Sequence, residues 1–399
     1  MSDFDIESVR SKFPALSVND QVFFDNAGGS QALGSVIGDI RNYLSKTNVQ
    51  LGASYKTGKL SNASYDEGKA AGAKYVHAAD SEVVFGPSTT QLFRNISYTL
   101  SFAKGDEIIV SNMDHEANIA PWVDLAERQE LKLIWWTPPF ESESAPRTPS
   151  LSQLLSPRTR LISCTHASNL LGSIMPIKDI VSTVRDGPSP DALVAVDGVS
   201  YAPHRPIDMR ALGIDFYAFS WYKVYGPHIA MAYASPRGLA AMKSLGHFFN
   251  KHSTLEQKIG LAGASYELVA AIPSVVSYLT PTSWTSMIAH EQALQATLLE
   301  YLKSRSDIKI YGDTTGASEA RVATVSFKVA GWASNDVVEA LDTHTNFGVR
   351  WGLFYSDRLG KDVLGLGDDG VVRASMVHYN TLDEVKRFIE EFEKVVRKK

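Results

Sequence analysis

The chain has 399 residues, of which 44% are hydrophobic and 21% charged, and its formal net charge is −5. A chain of this length is too long to fold around one simple hydrophobic core, and its composition is that of a globular protein. We therefore expect one large domain and a smaller one. The acidic balance argues against a nucleic-acid-binding protein, no apolar run approaches the length of a membrane span, and the single cysteine, Cys164, excludes an intrachain disulfide.

The N-terminal residues are acidic and lack the charged-then-apolar pattern of a secretion or transit signal. A single cysteine is also typical of a reducing compartment. The sequence therefore predicts a cytoplasmic protein.

Between residues 80 and 235, short apolar runs alternate with helical patterns. This alternation is typical of an α/β domain with a mostly parallel sheet, in which ligands bind at the carboxyl ends of the strands. The runs predict strands at 82–85, 107–110, 131–135, 160–163, 193–196, 216–219 and 230–233, and the intervening patterns predict helices that include 121–129 and 177–184.

The rest of the chain predicts a helical connection followed by a smaller α+β unit. Residues 236–300 are expected to be mostly helical, with one long stretch at 266–304. The α+β unit has predicted strands at 322–327 and 371–376 and predicted helices at 335–341 and 382–395. Thr381 and Glu384 have the spacing of a capping box for the last helix. We expect a large cofactor-binding domain at 20–265 and a small domain made of 1–19 and 266–399.

Lys223 has an unusual position, directly after the predicted strand 216–219 and ahead of a Gly-Pro turn. One interpretation is a surface lysine in a loop that leaves the sheet. The other is a partly desolvated amine that forms a Schiff base with a carbonyl group, as in pyridoxal phosphate enzymes.

Two other segments supply matching chemistry at the same predicted sheet edge. Asp197 ends the strand 193–196, where it is either a turn cap or the partner of a pyridinium nitrogen. The segment 86–90 offers hydroxyl groups and free amides at the start of a helix, which is either a simple N-cap or a phosphate site. Ser220 and Tyr222 flank the lysine and could add hydroxyl contacts to the same phosphate.

Three more residues complete the predicted site. His115 follows the strand 107–110 and is either an idle loop residue or a ring that stacks on a flat cofactor and relays protons. Asn169 follows the predicted strand 160–163 and could donate its side-chain amide to an oxygen of the cofactor ring. Arg373 lies inside an apolar strand and needs a carboxylate partner, which is either a nearby acid or a substrate α-carboxylate.

The sequence resembles the class V aminotransferase and cysteine desulfurase family of fold-type-I pyridoxal phosphate enzymes over nearly its whole length. The motifs that carry this likeness are Phe-Phe-Asp-Asn-Ala27, Ser-Thr-Thr90, Asp-His-Glu-Ala-Asn-Ile-Ala-Pro-Trp122, Ser-Asn-Leu-Leu-Gly172, Val-Asp-Gly198, Ser-Trp-Tyr-Lys223 and the run that begins at Arg373. The resemblance implies that Lys223 is the Schiff-base lysine. It also implies a homodimer, in which residues 263–265 of the neighbour touch the phosphate.

The likeness implies a role for each remaining site residue. Residues expected to bind the cofactor are Ser88, Thr89, Thr90, His115, Asn169, Asp197, Ser200, Ser220, Tyr222 and Lys223. Residues expected to bind an amino-acid substrate are Asn26, Arg350 and Arg373. Those expected to act in catalysis are Lys223, His115 and Tyr355, and no metal ligand is expected.

The chain departs from the desulfurase pattern at three positions. Desulfurases carry a nucleophilic cysteine in a loop of the type Arg-x-Gly-x-His-Cys-Ala, whereas this chain has Tyr355 at that position. Cys164 ends a predicted buried strand, where a thiol is usually inert. Ser200 replaces a glutamine, and Tyr222 replaces the histidine that usually precedes the lysine. A persulfide mechanism is therefore not expected.

The leading functional prediction is a lyase that eliminates a sulfur substituent from Cβ of a cysteine-derived amino acid, with Tyr355 or His115 protonating the leaving group. The alternatives are an aminotransferase, an amino-acid epimerase and a protein that binds the cofactor without catalysis.

Overall fold

The computed structural model describes residues 4–138 and 150–397. The strands in these ranges are β1 (Val22–Phe23), β2 (Val83–Gly86), β3 (Glu107–Ser111), β4 (Lys132–Trp136), β5 (Thr159–Thr165), β6 (Leu193–Asp197), β7 (Phe216–Ser220), β8 (Ala230–Ala234), β9 (Ile308–Tyr311), β10 (Thr324–Val329), β11 (Phe347–Gly348), β12 (Arg350–Gly352) and β13 (Val371–Ser375).

The α-helices in the same ranges are α1 (Ile6–Arg10), α2 (Ala15–Val18), α3 (Gly34–Lys46), α4 (Lys56–Tyr75), α5 (Thr89–Thr99), α6 (Ala120–Gln129), α7 (Leu151–Leu154), α8 (Ile177–Arg185), α9 (Met209–Leu212), α10 (Pro236–Ala241), α11 (Leu255–Ile259), α12 (Tyr266–Ala270), α13 (Ile272–Tyr278), α14 (Pro281–Ser304), α15 (Ser334–His344) and α16 (Leu382–Val396). Short 3₁₀ helices cover Asp80–Glu82, Glu116–Asn118 and Trp221–Lys223, and a π-helical segment covers Arg358–Val363.

The large sheet contains seven strands of the described chain, in the order β2-β8-β7-β6-β5-β3-β4. β8 runs antiparallel to both of its neighbours, and every other pairing in this sheet is parallel. The predicted α/β fold with a mostly parallel sheet is therefore confirmed. Because β3, β5, β6 and β7 run in one direction, their carboxyl ends meet at the same edge of the sheet.

Both faces of the large sheet are buried, which explains why its strands are continuously apolar rather than alternating. Along β3, Ile109 belongs to the core on one face, and its neighbours Ile108 and Val110 belong to the core on the other. Successive side chains of a strand point to opposite faces, so both cores draw on the same short runs. The helices around the sheet cover these two cores.

The C-terminal part of the chain forms a smaller antiparallel sheet in the order β12-β13-β10-β9. Helices α14, α15 and α16 share an apolar core with it. β1 pairs in parallel with β11, and Asp25 bridges to Ser375 at the end of β13. The chain just after β1 therefore lies beside the smaller sheet. The exact domain boundaries given above stay predictions.

Each strand predicted for the large sheet is present, and the capping box of Thr381 and Glu384 at the start of α16 is confirmed. The single helical stretch predicted at 266–304 is wrong, because the chain there forms α12, α13 and α14 separately. Pro273 and Pro281 lie in the first turns of α13 and α14, where a missing N–H is tolerated. The strand predicted at 322–327 lies at Thr324–Val329.

No helix among residues 4–138 and 150–397 combines the length and the apolar character that crossing a membrane requires.

Candidate active site

One cavity at the carboxyl edge of the large sheet is lined by seven of the fourteen predicted site residues. Its lining residues are Ala27, Gly28, His115, Asn169, Tyr222, Lys223, Arg350, Phe354, Tyr355 and Arg373. The loops after β3, β5 and β7 supply His115, Asn169 and Lys223, and the smaller sheet supplies both arginines. The cavity thus lies between the large sheet and the C-terminal unit.

Lys223 ends the 3₁₀ helix Trp221–Lys223, directly after β7, and its side chain is buried. Its Nζ donates a hydrogen bond to the carbonyl oxygen of Ala27 at 2.6 Å. Burial, with the positive charge of Arg373 as the next cause, lowers the pKa of Lys223 to about 8. An amine with this pKa can act as a nucleophile or as a base near neutral pH.

Asp197 is the last residue of β6 and is buried. Its Oδ1 accepts a hydrogen bond from the amide of Val199 at 2.8 Å, which fixes the carboxylate. Burial raises the pKa of Asp197 to about 6, while the backbone hydrogen bond and Lys223 act in the opposite direction. A buried acid of this kind can share a proton with a ring nitrogen.

The start of α5 brings two of the predicted hydroxyl groups together. Ser88 caps the helix by accepting a hydrogen bond from the Gln91 amide at 3.1 Å. The hydroxyl groups of buried Thr89 and Ser220 share a hydrogen bond of 2.8 Å, which joins the helix start to the end of β7. A helix N-terminus with adjacent hydroxyl groups favours an anion such as phosphate.

Six predicted cofactor contacts lie outside the cavity lining, namely Ser88, Thr89, Asp197 and Ser220, described above, and also Thr90 and Ser200. Thr90 is exposed and lines a separate surface groove together with Arg94 and Asp124. Ser200 lies in the turn after β6 and does not line the cavity. The cofactor roles of Thr90 and Ser200 stay predictions.

His115 is held in one tautomer. Its Nδ1 accepts a hydrogen bond from the amide of Ala117 at 3.0 Å, so the ring proton resides on Nε2. Burial, followed by the charges of Lys223 and Arg373, lowers the pKa of His115 to about 4. The ring is therefore neutral near pH 7 and can donate a hydrogen bond through Nε2.

Arg373 lies on β13 and is 2% exposed. One terminal nitrogen donates to Asp25 Oδ1 at 2.8 Å, and the other donates to the carbonyl oxygen of Asn169 at 3.1 Å. The guanidinium also stacks on the ring of Phe354 at 3.7 Å. Its buried Nε has no partner among the described residues. An unpartnered buried donor is costly, so this nitrogen suits an anionic ligand.

Asp25 is a site residue that the sequence did not predict, although an arginine in an apolar strand indicates that an acid lies nearby. Arg350 and Arg373 are opposite each other in the pairing of β12 with β13. The carboxylate of Asp25 contacts both, at 2.8 Å from Arg373 and 3.6 Å from Arg350. The ion-pair interpretation of Arg373 is therefore observed, while its predicted contact with a substrate stays open.

Asn26 is buried and does not line the cavity. Its amide donates to the carbonyl oxygens of Phe23 at 2.8 Å and Ser375 at 2.9 Å, and its oxygen accepts from the hydroxyl of Tyr379. These contacts tie the chain after β1 to β13. The amide is thus occupied, which does not support the predicted substrate contact.

The arrangement of side chains fits pyridoxal phosphate. A buried amine with a lowered pKa and an arginine with a free buried donor line the cavity. A buried carboxylate that interacts with this amine, and paired hydroxyl groups at a helix N-terminus, lie at neighbouring strand ends. Lys223 would hold the carbonyl carbon, Asp197 the ring nitrogen, and Thr89 with Ser220 the phosphate. Asn169 lines the cavity, and one hydrogen of its amide remains beyond its bond to Phe354.

Comparison with known proteins identifies the same family as the sequence motifs. The Aminotransferase class-V family model matches residues 22–388. The aminotransferase-like protein FGM3 of Gibberella zeae is 50% identical, with 99% of each chain covered. The cysteine desulfurase-like protein ustD of Aspergillus flavus is 37% identical, covering 98% of this chain and 91% of the relative.

Solved structures support the fold. The apo structure of a cysteine desulfurase from Thermococcus onnurineus superposes with a TM-score of 0.86 over 98% of both chains, at 24% identity. The only cysteine of the present chain, Cys164, is buried in β5. The chain therefore belongs to the class V aminotransferase family and is a pyridoxal phosphate-dependent enzyme, similar to cysteine desulfurases but without their catalytic cysteine.

Proposed function

We propose that this enzyme is a β-eliminating lyase that cleaves the C–S bond of a cysteine-derived amino acid. The observation that carries the proposal is Tyr355, which replaces the desulfurase cysteine and packs against His115 with 5.2 Å between ring centroids. Burial raises the pKa of the only thiol, Cys164, well above its usual value. The chain therefore has no nucleophilic thiol that could accept sulfur from a substrate, and an elimination reaction does not require such a thiol.

The first part of the reaction depends on Lys223 and Asp197. When bound, pyridoxal phosphate supplies an electrophilic carbon for the substrate amine and a ring that stabilises negative charge at Cα. Asp197 holds the proton at the ring nitrogen. The Lys223 amine, with its pKa lowered to about 8, is neutral often enough near pH 7 to 8 to take the Cα proton.

The second part concerns the leaving group. Arg373 binds the substrate α-carboxylate with its free Nε, which places Cα near Lys223. The bond between Cβ and sulfur then breaks, and the sulfur takes a proton from Nε2 of His115 or the hydroxyl of Tyr355. The products after hydrolysis are a thiol, pyruvate and ammonium, which balance the substrate and one water.

The proposal is tested by incubating the holoenzyme with cysteine and a panel of its thioethers while pyruvate and thiol are measured by mass. We expect equal amounts of the two products from at least one substrate and none from the Lys223→Ala variant. An active enzyme that releases neither from any member of the panel would contradict the proposal.

The same assay separates the alternatives, one of which is suggested by the likeness to the aminotransferase-like protein FGM3. An aminotransferase would give a 2-oxo acid that keeps the substrate side chain. An epimerase would introduce deuterium at Cα in heavy water without a new product. Either result would replace elimination as the reaction.

We propose that the enzyme acts as a cytoplasmic homodimer. The chain between 245 and 261 exposes large apolar side chains, among them Phe248 at 93% and Phe249 at 70%. It precedes the 263–265 loop, which by family resemblance approaches the neighbouring subunit. Sedimentation should give a dimer for the natural chain and a weaker dimer for Phe248→Glu; a monomeric natural chain would contradict this proposal.

A further inference from the structure

The loop that carries Tyr355 has an unusual backbone. We define the Tyr355 loop as residues 353–357, which lie between β12 and the π-helical segment Arg358–Val363. Phe354 and Tyr355 both have left-handed backbones, with φ of 53° and 60°. Two successive aromatic residues rarely adopt this conformation, and it persists only where surrounding contacts hold it.

Asn169 makes the contacts that hold this loop. Its Nδ2 donates to the carbonyl oxygen of Phe354 at 2.8 Å, and its Oδ1 accepts from the hydroxyl of Ser356 at 2.9 Å. These two bonds lie on either side of Tyr355. Both Asn169 and Ser356 are buried, so water does not readily replace the bonds.

A second attachment comes from the loop after β3. The amide of Glu116 donates to the carbonyl oxygen of Tyr355 at 2.8 Å. Because His115 precedes Glu116, this bond places Tyr355 beside His115, and the centroids of the two rings are 5.2 Å apart. The loop is thus fixed to two separate strand ends of the large sheet.

The fixed loop places two aromatic rings on the reactive groups. Phe354 supports the guanidinium of Arg373 at 3.7 Å, and Tyr355 covers His115. The backbone oxygen of Asn169 accepts a hydrogen bond from Arg373 at 3.1 Å. Asn169 is therefore bonded both to Arg373 and to the Tyr355 loop, which carries the Phe354 ring that Arg373 stacks on.

We propose that Asn169 is a positioning residue that, together with Ser356, holds the Tyr355 loop as a fixed wall of the cavity and so orients Arg373. This goes beyond the proposed function, because it holds whichever bond of the substrate is cleaved. It also differs from the predicted contact of Asn169 with the cofactor ring, which uses the other amide hydrogen.

The test is limited proteolysis of the holoenzyme with chymotrypsin, which cleaves after aromatic residues, with fragments identified by mass. Ser356→Ala, which loses one hydrogen bond, should raise the cleavage rate after Phe354 or Tyr355 by about fivefold, and Asn169→Ala, which loses two, should raise it further. If the two residues form one clamp, the double variant should exceed either single variant by less than the product of their effects.

Ser189→Ala is the matched control, because the buried Ser189 hydroxyl also donates to a backbone oxygen, that of Thr159, at the opposite end of the sheet. We expect its cleavage rate at the loop to equal that of the natural chain. Loop cleavage that stays unchanged in both clamp variants, or that rises equally in the control, would overturn the proposal.

A second readout separates positioning from general stability. The rate at which a Cα hydrogen of glycine exchanges in heavy water is measured against glycine concentration. Its KM reports on carboxylate binding by Arg373, and its maximal rate reports on proton removal by Lys223. For Ser356→Ala we expect KM to rise by about fivefold and the maximal rate to stay within about twofold, since only the arginine support is altered. Faster loop cleavage with an unchanged KM would contradict the positioning role. Neither measurement depends on C–S cleavage.

Discussion

At the residue scale, the cavity concentrates positive charge around a single amine. Lys223 shares the cavity with Arg350 and Arg373, and among the described residues the charges of Asp197 and Asp25 act on it in the opposite direction. Burial is the main cause that lowers the pKa of both Lys223 and His115, and the neighbouring positive charges lower both further. The base can therefore lose its proton near neutral pH, while the histidine stays neutral and keeps its Nε2 proton for donation.

The first prediction concerns the missed acid. Asp25→Asn removes a negative charge that raises the pKa of Lys223, so the pKa should fall further. Since the neutral amine is the base, exchange of a Cα hydrogen should rise with pH around 8 in the natural chain, and about one pH unit lower in the variant. A pH series of deuterium exchange on glycine measures this.

The control for that series is Asp383→Asn, because Asp383 is an exposed acid at the start of α16. A shift of the Asp25→Asn profile toward higher pH, or an equal shift in the control, would contradict the charge argument.

At the element scale, the local sequence was sufficient to predict a strand or helix whose structure depends mainly on its own residues. The strands of the large sheet were predictable because their apolar runs are buried on both faces. The break of the 266–304 stretch was not recognised, although Pro273 and Pro281 mark it, because helical periodicity continues across both prolines. The short strands β11 and β12 were missed, since they exist only through pairing with distant segments.

The second prediction compares two glycines inside helices. A Cβ on Gly38 of α3 would meet nothing within 4 Å, whereas a Cβ on Gly68 of α4 would lie 2.1 Å from the carbonyl oxygen of Val269 in α12. Gly38→Ala should raise the free energy of unfolding by about 0.5–1 kcal/mol through helix propensity. Gly68→Ala should lower it by about 1–3 kcal/mol through overpacking.

Urea unfolding of the holoenzyme measures both changes, and each variant serves as the control of the other. A Gly68→Ala variant whose free energy of unfolding is unchanged or raised would show that the close packing of α4 against α12 does not limit the residue at 68.

At the scale of the whole molecule, the site combines three distant parts of the chain. The order of strand ends predicted that His115, Asn169, Asp197 and Lys223 would meet at one edge. It could not predict Asp25 or the Tyr355 loop, because their positions depend on how the C-terminal unit docks on that edge. The contacts of Asn169 with the loop are of this kind and have no local signal.

The third prediction concerns stability and pH. Burial lowers the pKa of His166 to about 3, from an ordinary value of 6.5. As pH falls through 6.5, the unfolded chain takes up this proton and the folded chain does not, so stability is present above 6.5 and is lost toward pH 3. Between about pH 7.5 and pH 5, His166 should lower the free energy of unfolding by about 2 kcal/mol.

Comparison with His166→Asn isolates this effect, because asparagine can keep the Nδ1 contact with the hydroxyl of Tyr217, which is 2.8 Å away. The difference between the two proteins in urea unfolding should grow in favour of the variant as the pH is lowered. A difference that is independent of pH would show that His166 is protonated in the folded enzyme.

The central claim is that Lys223 carries the cofactor in this cavity. Borohydride reduction of the holoenzyme makes the covalent link permanent, and peptide mapping by mass then locates it. We predict the reduced cofactor on the peptide that contains Lys223, and no labelled peptide from the Lys223→Ala variant. A cofactor found on another lysine, or equal labelling of the variant, would contradict the account.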